Sequence, residues 1–398
     1  MICRICDKQN LELVIDLGSQ PWGNNFLPKE KIGSESFYPL RVMHCLSCKT
    51  AQLDFTVKKE IMFSNHTYLS GVTSSLSAHF KKIAYEVDTQ FFSEVKNKSV
   101  LDIGSNDGTQ LKYFKNLDYE VLGIESSMLI SKIANERGIL TLNAFFNEET
   151  MKKIGRQFDV FNASGVFFHL EELHSVCRGI KMGLKKDGIF VVQFLYMKSI
   201  MKNMAFDQIY HEHLLYYTLQ TIQVLLDRHN LKMFHAYLSP IHGGSIIGYI
   251  CHSESSRVKS KELKELEALE VKSGCNEITA YFSFAKKIKQ MKDTNLDFLV
   301  AAKKKGKLVY GFGAPVKGNT LLNYFGIGPD LIKYLIERNT LRRGLYSPGM
   351  HIPLLMEDEI TELPSIYYVL AWNFKDEILA RNQNLVQQGV EFYFPVNP

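Results

Sequence analysis

Residues 210–217 read YHEHLLYY and bring together more ionisable and aromatic side chains than a surface loop or a core segment usually holds. Histidine titrates near neutral pH, so His211 and His213 can each take up a proton, while Tyr210 and Glu212 can form hydrogen bonds. Taken alone, these residues fit a catalytic site and a hydrogen-bonded structural cluster equally well. His211 and His213 point the same way only in an extended segment, and no third ligand lies nearby in the sequence, so no metal is predicted here.

A second group of reactive side chains consists of two CxxC pairs, Cys3–Cys6 and Cys45–Cys48, out of seven cysteines in the chain. Each pair can present two thiolates to one tetrahedral zinc ion, and four thiolates leave no open position for water. The alternatives are a chance arrangement and a redox-active CxxC. One CxxC suffices for redox chemistry, however, and neither pair opens a helix after a strand. The spacing therefore predicts one structural zinc ion bound by these four cysteines.

A third candidate site is the loop in VLDIGSNDGTQL, residues 100–111. Asp102, Gly104, Asn106 and Asp107 lie where a strand is expected to turn into a helix, and a ligand would bind beyond the end of that strand. The pattern differs from the dinucleotide GxGxxG, because acidic and amide residues stand where a diphosphate would need backbone N–H groups. Carboxylates repel phosphate but suit a sulfonium. By itself, the loop also fits an ordinary tight turn.

Two later segments extend this site. Glu125 ends the next expected strand, 21 residues after Gly104, where an acid can accept hydrogen bonds from both ribose hydroxyls. The loop and this acid together predict S-adenosylmethionine (SAM) as cofactor. His169, in FFHLEEL, is expected either to border the methyl donor or to cap the next helix. His242, in PIHGGS, lies in a loop that either approaches a ligand closely or is an ordinary turn.

Hydrophobic patterning predicts how the chain positions these groups. Residues 1–70 are short and turn-rich, and residues 74–92 are predicted to form a helix. Strands and helices then alternate, with strands expected at 100–103, 120–124, 160–163 and 188–194. Such alternation is typical of a parallel, doubly wound α/β sheet. A charged stretch at 254–272 leads to a further helix and to a second αβ unit that begins at Lys307.

The composition limits the classes of function. The 398 residues are 45% hydrophobic and 22% charged, with a net charge of +5 that is spread along the chain. No basic tract suggests a nucleic-acid surface, no apolar run approaches the roughly 20 residues of a membrane helix, and the N-terminus lacks the apolar region of a signal peptide. The sequence therefore predicts a cytoplasmic protein, expected to be a monomer, that binds neither nucleic acid nor membranes.

Taken in order, these segments resemble the sugar C-methyltransferases that act on nucleotide-linked deoxysugars. The resemblance extends almost to the C-terminus and rests on the two CxxC pairs with LGSQPWGNNFLP between them, YLSGVTSS, VLDIGSNDG, YHEHLLYY, PIHGGS, GFGAPVKGNTLLN, RNTLRRGLYSPGMHIP and LAWNF. It implies three domains. These are a zinc-binding domain at 1–72, a Rossmann-like SAM-dependent methyltransferase core at 73–252, and a second Rossmann-like domain at 253–398 that contributes to binding the sugar nucleotide.

The resemblance also implies a reaction, the methylation of C3 in a dTDP- or GDP-linked 4-keto-6-deoxy sugar during synthesis of a branched-chain deoxysugar. A ketone at C4 makes the C3 proton acidic, so the site needs a base and groups that hold the enolate oxygen. His213 falls on the family's preferred base. Tyr210 and Tyr68 fall on tyrosines that can hold the enolate or the sugar. Glu212 can orient a histidine or bind sugar hydroxyls, and His211 is a weaker candidate.

The C-terminal unit leaves an alternative open. Gly311, Gly313 and Gly318 look like a nicotinamide-binding fingerprint, and Glu337 ends a plausible following strand, as a ribose-binding acid would. On that interpretation the chain is an NAD-dependent sugar-nucleotide oxidoreductase, and the first Rossmann-like unit binds the substrate. Glu337 also departs from the family pattern, in which an aspartate is usual.

Under the C-methyltransferase interpretation, the same unit binds the diphosphate of the sugar nucleotide. Lys317 and either Arg342 or Arg343 are the expected contacts, although surface lysines and arginines are common. This sequence departs from the family pattern at two further places. The Leu-Arg-Arg run at 341–343 stands where the family has a proline- and lysine-like stretch, and Gly165 stands where asparagine is expected. These departures affect the expected identity of the nucleotide and the expected contacts with the sugar more than they affect the expected reaction.

Overall fold

The computed structural model describes residues 1–64, 69–72 and 74–396, so the predicted catalytic Tyr68 lies outside the described residues. The described chain forms a four-stranded, a seven-stranded and a five-stranded sheet, and a two-stranded ribbon. Within these ranges, none of the helices combines the length and apolarity that a membrane span requires. The α/β fold class with three parts is confirmed. The predicted domain boundaries stay predictions.

The N-terminal part is built around an antiparallel sheet. In chain order it contains β1 (Leu11–Pro21), β2 (Leu27–Pro28), β3 (Phe37–Cys45) and β4 (Ala51–Leu53), followed by α1 (Lys59–Phe63). β3 pairs with both β1 and β4. Buried apolar side chains of these strands form one core with the cysteines of the two CxxC pairs.

The central part is a seven-stranded sheet with its helices. In chain order it contains α2 (Ser74–Val87), β5 (Ser99–Ile103), α3 (Thr109–Lys115), β6 (Glu120–Glu125), α4 (Met128–Glu136), β7 (Thr141–Asn143), α5 (Glu148–Ile154), β8 (Phe158–Ser164), α6 (Leu173–Gly183), β9 (Leu184–Leu195), α7 (Met197–Lys202), β10 (Leu215–Tyr216), α8 (Leu219–Asp227), β11 (Leu231–Ser239) and β12 (Ser245–His252). The strand order is β11-β12-β9-β8-β5-β6-β7. Neighbours from β9 to β7 are parallel, and β12 is antiparallel to both of its neighbours.

Burial in this sheet explains which strands the sequence revealed. All five residues of β5 are buried. Val100 packs into one hydrophobic core and Leu101 into another, on the opposite face of the sheet. The four predicted strands correspond to β5, β6, β8 and β9. β12, whose eight residues are all buried, was not predicted, because a continuous apolar run does not distinguish a strand from a helix.

The C-terminal part is a second parallel sheet. In chain order it contains α9 (Lys261–Ser273), α10 (Ile278–Lys304), β13 (Val309–Phe312), α11 (Val316–Phe325), β14 (Leu335–Glu337), β15 (Leu345–Tyr346), β16 (Leu354–Met356), β17 (Ile366–Val369), α12 (Lys375–Arg381), α13 (Gln383–Gln387) and β18 (Glu391–Tyr393). The order β16-β14-β13-β17-β18 is parallel throughout. The second αβ unit predicted from Lys307 onward is therefore present.

The N-terminal part is joined to both of the others by strand pairing. β10, directly after the YHEH residues, leaves the central part and pairs with β4. β15 of the C-terminal part pairs with β2. The carboxylate of Glu35 also lies 2.5 Å from Nε2 of His351 and accepts a hydrogen bond from the N–H of Gly349. The zinc-binding part is therefore in direct contact with the central and C-terminal parts.

Candidate active site

The four cysteines of the two CxxC pairs converge at the end of β3. Sγ of Cys3 lies 3.5 Å from Sγ of Cys48, and Sγ of Cys6 lies 3.6 Å from Sγ of Cys45. All four ligand atoms lie within 4.8 Å of one another. Sulfur atoms around a tetrahedral zinc ion lie about 3.8 Å apart, since each Zn–S bond is about 2.3 Å long. The predicted four-cysteine cluster is therefore present, with a geometry that fits zinc.

Two turns of similar backbone shape produce this cluster. The residue after each pair, Asp7 and Lys49, has a positive φ, of 60° and 68° respectively. The N–H of each of these residues donates to the carbonyl of the first cysteine of its pair, at 3.1 Å for Asp7 to Cys3 and 2.8 Å for Lys49 to Cys45. Cys3 and Cys45 are fully buried. The zinc site is therefore also part of the core of the N-terminal sheet.

Loss of one thiolate should remove the metal and loosen the N-terminal sheet. In Cys45→Ser we expect the zinc content, one ion per chain in the wild type, to fall close to zero and the unfolding temperature to fall with it, because the metal supplies much of this small domain's folding free energy. Elemental analysis and thermal unfolding check both effects. Cys275→Ser, outside the cluster, should retain the metal. Freshly purified wild type that is folded but holds no zinc would contradict the prediction.

The glycine-containing loop lies where the central sheet changes direction. The chain runs from β5 to β6 and β7 on one side, and β8 then lies on the other side of β5. In such sheets a crevice forms beyond the carboxyl ends of the strands, and ligands bind there. Gly104 and Gly108 have φ values of 68° and 76°. A Cβ on Gly104 would lie 2.6 Å from Val166 Cγ1, so this position requires glycine for space as well as for conformation.

Glu125, at the end of β6, faces this loop. Its carboxylate accepts hydrogen bonds from the N–H of Asn106 at 3.0 Å and from the N–H of Ser127 at 2.8 Å. Asp102, near the end of β5, accepts a hydrogen bond from Asn162 Nδ2 at 2.6 Å. Burial raises the pKa of Asp102 to about 7, although the bond from Asn162 opposes the shift. Three predicted cofactor residues, Asp102, Asn106 and Glu125, therefore lie together at the crevice.

Asp107 has partners that the sequence did not suggest. Its carboxylate accepts hydrogen bonds from Ser70 Oγ at 2.9 Å, from the Gly71 N–H at 3.2 Å and from Arg137 Nη1 at 2.8 Å. The side-chain oxygen of Asn106 accepts from the N–H of Ser70 at 2.9 Å. These bonds attach the segment before α2 to the glycine loop. The role of Asp107 in binding the cofactor stays a prediction.

His213 lies in a cluster of aromatic rings. Its ring centroid is 3.8 Å from that of Tyr210, 4.7 Å from that of Phe168 and 5.2 Å from that of His169. The His169 ring also stacks on Phe63 of α1 at 5.4 Å. The structure therefore brings together His213, Tyr210 and His169, which the sequence analysis placed in two separate sites.

The hydrogen bonds of His213 determine which of its nitrogen atoms can act as a base. Nδ1 lies 2.7 Å from the carbonyl oxygen of Gln208, which can only accept, so Nδ1 carries the proton. Nε2 of the neutral ring then holds the lone pair. Burial, followed by the neighbouring His169, lowers the pKa of His213 well below 6.5. The ring is therefore neutral near pH 7, with Nε2 as its basic atom.

The other two polar residues of the YHEH run contact the N-terminal part. Oε1 of Glu212 accepts a hydrogen bond from Trp22 Nε1 at 2.8 Å. Nε2 of His211 lies 3.3 Å from the carbonyl oxygen of Tyr38, and the two rings meet edge-on at 5.8 Å. His211 is 1% exposed. In the described structure, His211 therefore anchors this segment to the N-terminal sheet, in line with its lower rank as a catalytic candidate.

Two predicted substrate residues lie where the C-terminal part meets the central part. Nζ of Lys317, in the first turn of α11, is 2.6 Å from Asn373 Oδ1 and 3.6 Å from the centroid of the Trp372 ring. His242 has a left-handed φ of 56°. Burial, followed by the charge of Lys317, lowers the pKa of His242 to about 4. A Cβ on Gly243 would lie 2.6 Å from the Trp372 ring, so the PIHGGS loop packs directly on this tryptophan.

The two predicted arginines have different surroundings. Arg342 lies over the Phe26 ring at 4.1 Å and donates to Glu337 at 2.9 Å, so it bridges the N-terminal and C-terminal parts. Glu337, the acid that would bind a ribose in the NAD alternative, is thus paired with an arginine. Arg343 forms an ion pair with Glu359 at the surface. The structure places Arg342, and not Arg343, at the junction of the domains.

Four residues at this junction were missed by the sequence analysis, namely Trp22, Asp207, Gln208 and Trp372. The chain contains only two tryptophans. Each of them donates its Nε1–H to a carboxylate beside the site, Trp22 to Glu212 and Trp372 to Asp207. Rarity combined with a polar ring edge was the signal that could have identified both tryptophans, because a buried indole N–H usually needs a partner.

Comparison with known protein families matches three consecutive parts of the chain. Residues 3–63 match a zinc binding domain, residues 77–236 a methyltransferase domain, and residues 240–397 the C-methyltransferase C-terminal domain. Together these matches identify the chain as a C-methyltransferase with an N-terminal zinc-binding domain, a methyltransferase domain and a C-terminal C-methyltransferase domain. This C-methyltransferase has a SAM-binding fold and a four-cysteine cluster consistent with bound zinc, as predicted. The match of the C-terminal domain favours methyl transfer over the NAD alternative.

Individual proteins are similar to the chain over different lengths. The C-methyltransferase is 27% identical over 399 residues to the C-methyltransferase NovU of Streptomyces niveus, covering 99% of this chain and 95% of NovU. It is 26% identical over 127 residues to a tRNA U34 carboxymethyltransferase of Campylobacter jejuni, covering 29% of this chain and 42% of that protein. Among solved structures, the magnesium protoporphyrin IX methyltransferase of Synechocystis with bound SAH has a TM-score of 0.37 at 10% identity, and covers 46% of this chain and 88% of that one.

Proposed function

We propose that this SAM-dependent C-methyltransferase removes the C3 proton of a dTDP- or GDP-linked 4-keto-6-deoxy sugar and methylates the resulting enolate carbon. The observation that carries the proposal is His213, a neutral imidazole whose Nδ1–H is held by the Gln208 carbonyl, which leaves the lone pair on Nε2. A base of this kind is what C-methylation requires, because carbon becomes a nucleophile only after a proton is removed. The similarity to NovU over nearly the whole chain supports the same reaction class.

The residues around His213 are suited to the steps that follow. Tyr210, whose ring lies 3.8 Å from that of His213, can donate a hydrogen bond to the developing enolate oxygen or hold the sugar. Glu212, held by Trp22, can bind a sugar hydroxyl. Tyr68 is assigned a similar role from the family resemblance. Tyrosine would need its pKa lowered by several units from about 10 to act as the base near pH 7, so histidine is the better base.

The glycine loop is the proposed binding site for the cofactor. SAM, when bound, supplies an electrophilic methyl group. Backbone N–H groups of the Gly104–Gly108 loop and the carboxylates of Asp102, Asp107 and Glu125 would bind a positively charged nucleoside without a phosphate. The contact between the His169 and His213 rings supports a role for His169 beside the methyl donor.

The C-terminal domain is the proposed site for the nucleotide part of the substrate. Lys317 is an ammonium group in the first turn of α11, where the helix dipole also favours an anion. His242 and Arg342 lie on neighbouring segments and can contact the diphosphate or the sugar. Arg343, which is paired at the surface, is the weakest of these candidates.

The proposal is tested by mass spectrometry of products formed from SAM and a panel of dTDP- and GDP-linked 4-keto-6-deoxy sugars. One member of the panel should gain a single methyl group on carbon, and the same sugars lacking the C4 ketone should gain none, because their C3 proton is not acidic. The alternative oxidoreductase function predicts instead that NAD binds and is reduced. Tight binding of NAD together with no methylated product from any sugar would contradict the proposal.

Replacement of Glu125 tests the proposed cofactor site. We expect Glu125→Ala to weaken SAM binding by about 1–3 kcal/mol, the cost of removing a charged hydrogen-bond acceptor from a buried site. Isothermal titration calorimetry measures this change. Glu136→Ala, which removes an exposed glutamate at the end of α4, is the matched control and should bind SAM as the wild type does. Unchanged affinity in Glu125→Ala would place the ribose elsewhere.

Replacement of His213 tests the proposed base. Methyl transfer should fall by a factor on the order of 10² or more in His213→Ala, because a positioned base contributes about that much. Exchange of the C3 hydrogen with solvent deuterium, where the wild type shows it, should fall in parallel, and the affinity for SAM should stay near that of the wild type.

Two further variants make this result specific. His235→Ala removes a half-buried histidine of β11 that is hydrogen-bonded to Ser260, and it should leave turnover near that of the wild type. Tyr210→Phe should reduce turnover less than His213→Ala does if the tyrosine hydroxyl only stabilises the enolate. Near-normal turnover in His213→Ala would rule out this base and direct attention to Tyr210, Tyr68 and His211.

A further inference from the structure

The turn before the YHEH run holds the proposed base and reaches the C-terminal domain at the same time. Residues 206–208 form one turn of 3-10 helix. The carbonyl oxygen of Gln208 accepts the hydrogen bond from His213 Nδ1, and the Gln208 side chain donates to the carbonyl of His242 at 3.2 Å. The adjacent Asp207 accepts a hydrogen bond from Trp372 Nε1 at 2.6 Å. One short turn therefore sets the positions of the base and of a buried carboxylate.

Lys317 lies on the face of the same tryptophan ring. It is 8% exposed, which is rare for an ammonium group. The Trp372 ring and the amide oxygen of Asn373 contact the ammonium, but neither carries a full negative charge. A buried charge is stable only opposite a counter-charge, and Asp207, which is 0% exposed, acts on Lys317 in that way. The hydrogen bond from the indole N–H to Asp207 also makes the ring a better partner for a cation.

Asp207 also has an unused hydrogen-bonding atom. Oδ1 of Asp207 is buried and has no hydrogen-bond partner among the residues that the structure describes. A carboxylate that served only as an anchor between domains would be expected to have donors on both oxygens, because an unpaired buried oxygen is costly. Burial raises the pKa of Asp207 and the neighbouring Lys317 lowers it, so the two buried groups stabilise each other's charge across the indole ring that Asp207 holds by its edge.

We propose that Asp207 is a positioning residue that keeps Lys317 protonated and directed at an anionic group of the substrate. This inference rests on the proposed function, in which Lys317 contacts the diphosphate of a sugar nucleotide. It adds a residue outside the set that the sequence analysis selected. It also gives a reason for the location of Asp207, since the turn that places this carboxylate also holds the base.

The charge of Lys317 should then set an upper pH limit for binding the diphosphate. Burial lowers the pKa of Lys317 to about 8, and Asp207 opposes this shift. His242, with a pKa of about 4, and Tyr368, whose pKa burial raises well above 10, stay neutral above pH 7, whereas the pKa of the facing Asp207 is raised by burial and lowered by Lys317. Affinity is therefore full below the pKa of Lys317 and falls as the pH rises through it. Without the charge of Asp207 the pKa of Lys317 falls further, so the loss of affinity for the diphosphate begins at a lower pH.

The test compares wild type with Asp207→Asn, which retains an oxygen for the Trp372 N–H but removes the charge. The dissociation constants of dTDP and GDP would be measured by calorimetry from about pH 6.5 to about pH 9. At about pH 9 the variant should bind the preferred diphosphate roughly tenfold more weakly than the wild type, the effect of one pKa unit, and nearly as well at the lowest pH. Asp330→Asn, which removes an exposed aspartate of the same domain, should leave the curve unchanged.

Further variants separate a positioning role from a structural one. Lys317→Met should abolish this pH dependence, and adding Asp207→Asn to it should change affinity no further. If Asp207→Asn does not fold, as judged by loss of SAM binding, Trp372→Phe replaces it and should shift the curve in the same direction. A constant loss of affinity at every pH would overturn the inference, as would a wild type that methylates its sugar but binds neither diphosphate. If the wild type binds the diphosphate with the expected pH dependence, and Asp207→Asn displaces that curve, but the wild type transfers no methyl group to any sugar, only the proposed function is contradicted.

Discussion

The hydrogen bond between His213 Nδ1 and the carbonyl of Gln208 is the contact on which the rest of the site depends. A buried imidazole cannot easily carry a charge, so a histidine at this depth is useful as a base only in its neutral form. The backbone carbonyl selects one tautomer and leaves Nε2 with its lone pair. The rings of Tyr210, Phe168 and His169 then restrict the imidazole to one orientation.

Holding that orientation involves all three domains. The segment that contains His213 begins in a turn bonded to Trp372 of the C-terminal domain and ends in β10, which pairs with β4 of the zinc domain. Between these two points, Trp22 of the zinc domain holds Glu212. A zinc ion bound by the four cysteines would have no open position for water, because four thiolates complete its coordination. Its contribution would be to keep rigid the small sheet on which β10 is paired.

The parallel strands of two sheets end near this segment. In each set of parallel strands the chain changes direction once, between β5 and β8 in the core and between β13 and β17 in the C-terminal domain, and such a change creates a crevice at the carboxyl ends of the strands. The first crevice is lined by Glu125 and Asp102 and suits a cation. The second has Lys317 beside it and suits an anion. Under the proposed function, these opposite charges would direct a positively charged cofactor to one crevice and an anionic substrate group to the other.

The sequence by itself determined the features that depend on short-range spacing. Two CxxC pairs define a four-cysteine cluster because each turn brings its own two sulfur atoms together. The positions of Gly104 and Glu125 follow from strand–turn–helix order, because parallel strands end at the same edge of a sheet. The α/β class and four core strands were predictable for the same reason. Histidine chemistry suggested a base in the YHEH run and the family resemblance selected His213, although spacing alone did not distinguish a catalytic cluster from a structural one.

Only the tertiary structure decided which way the side chains of the YHEH run point. His211 and Glu212 face the zinc domain, whereas His213 faces His169, and this division depends on β10 pairing with a strand that lies far away in the sequence. The bond from Trp372 to Asp207 likewise joins residues that are 165 positions apart. Contacts of this kind depend on how whole sheets pack, and no periodicity of the local sequence records them. The neutral state of His213 was equally inaccessible, because burial by the assembled domains produces it.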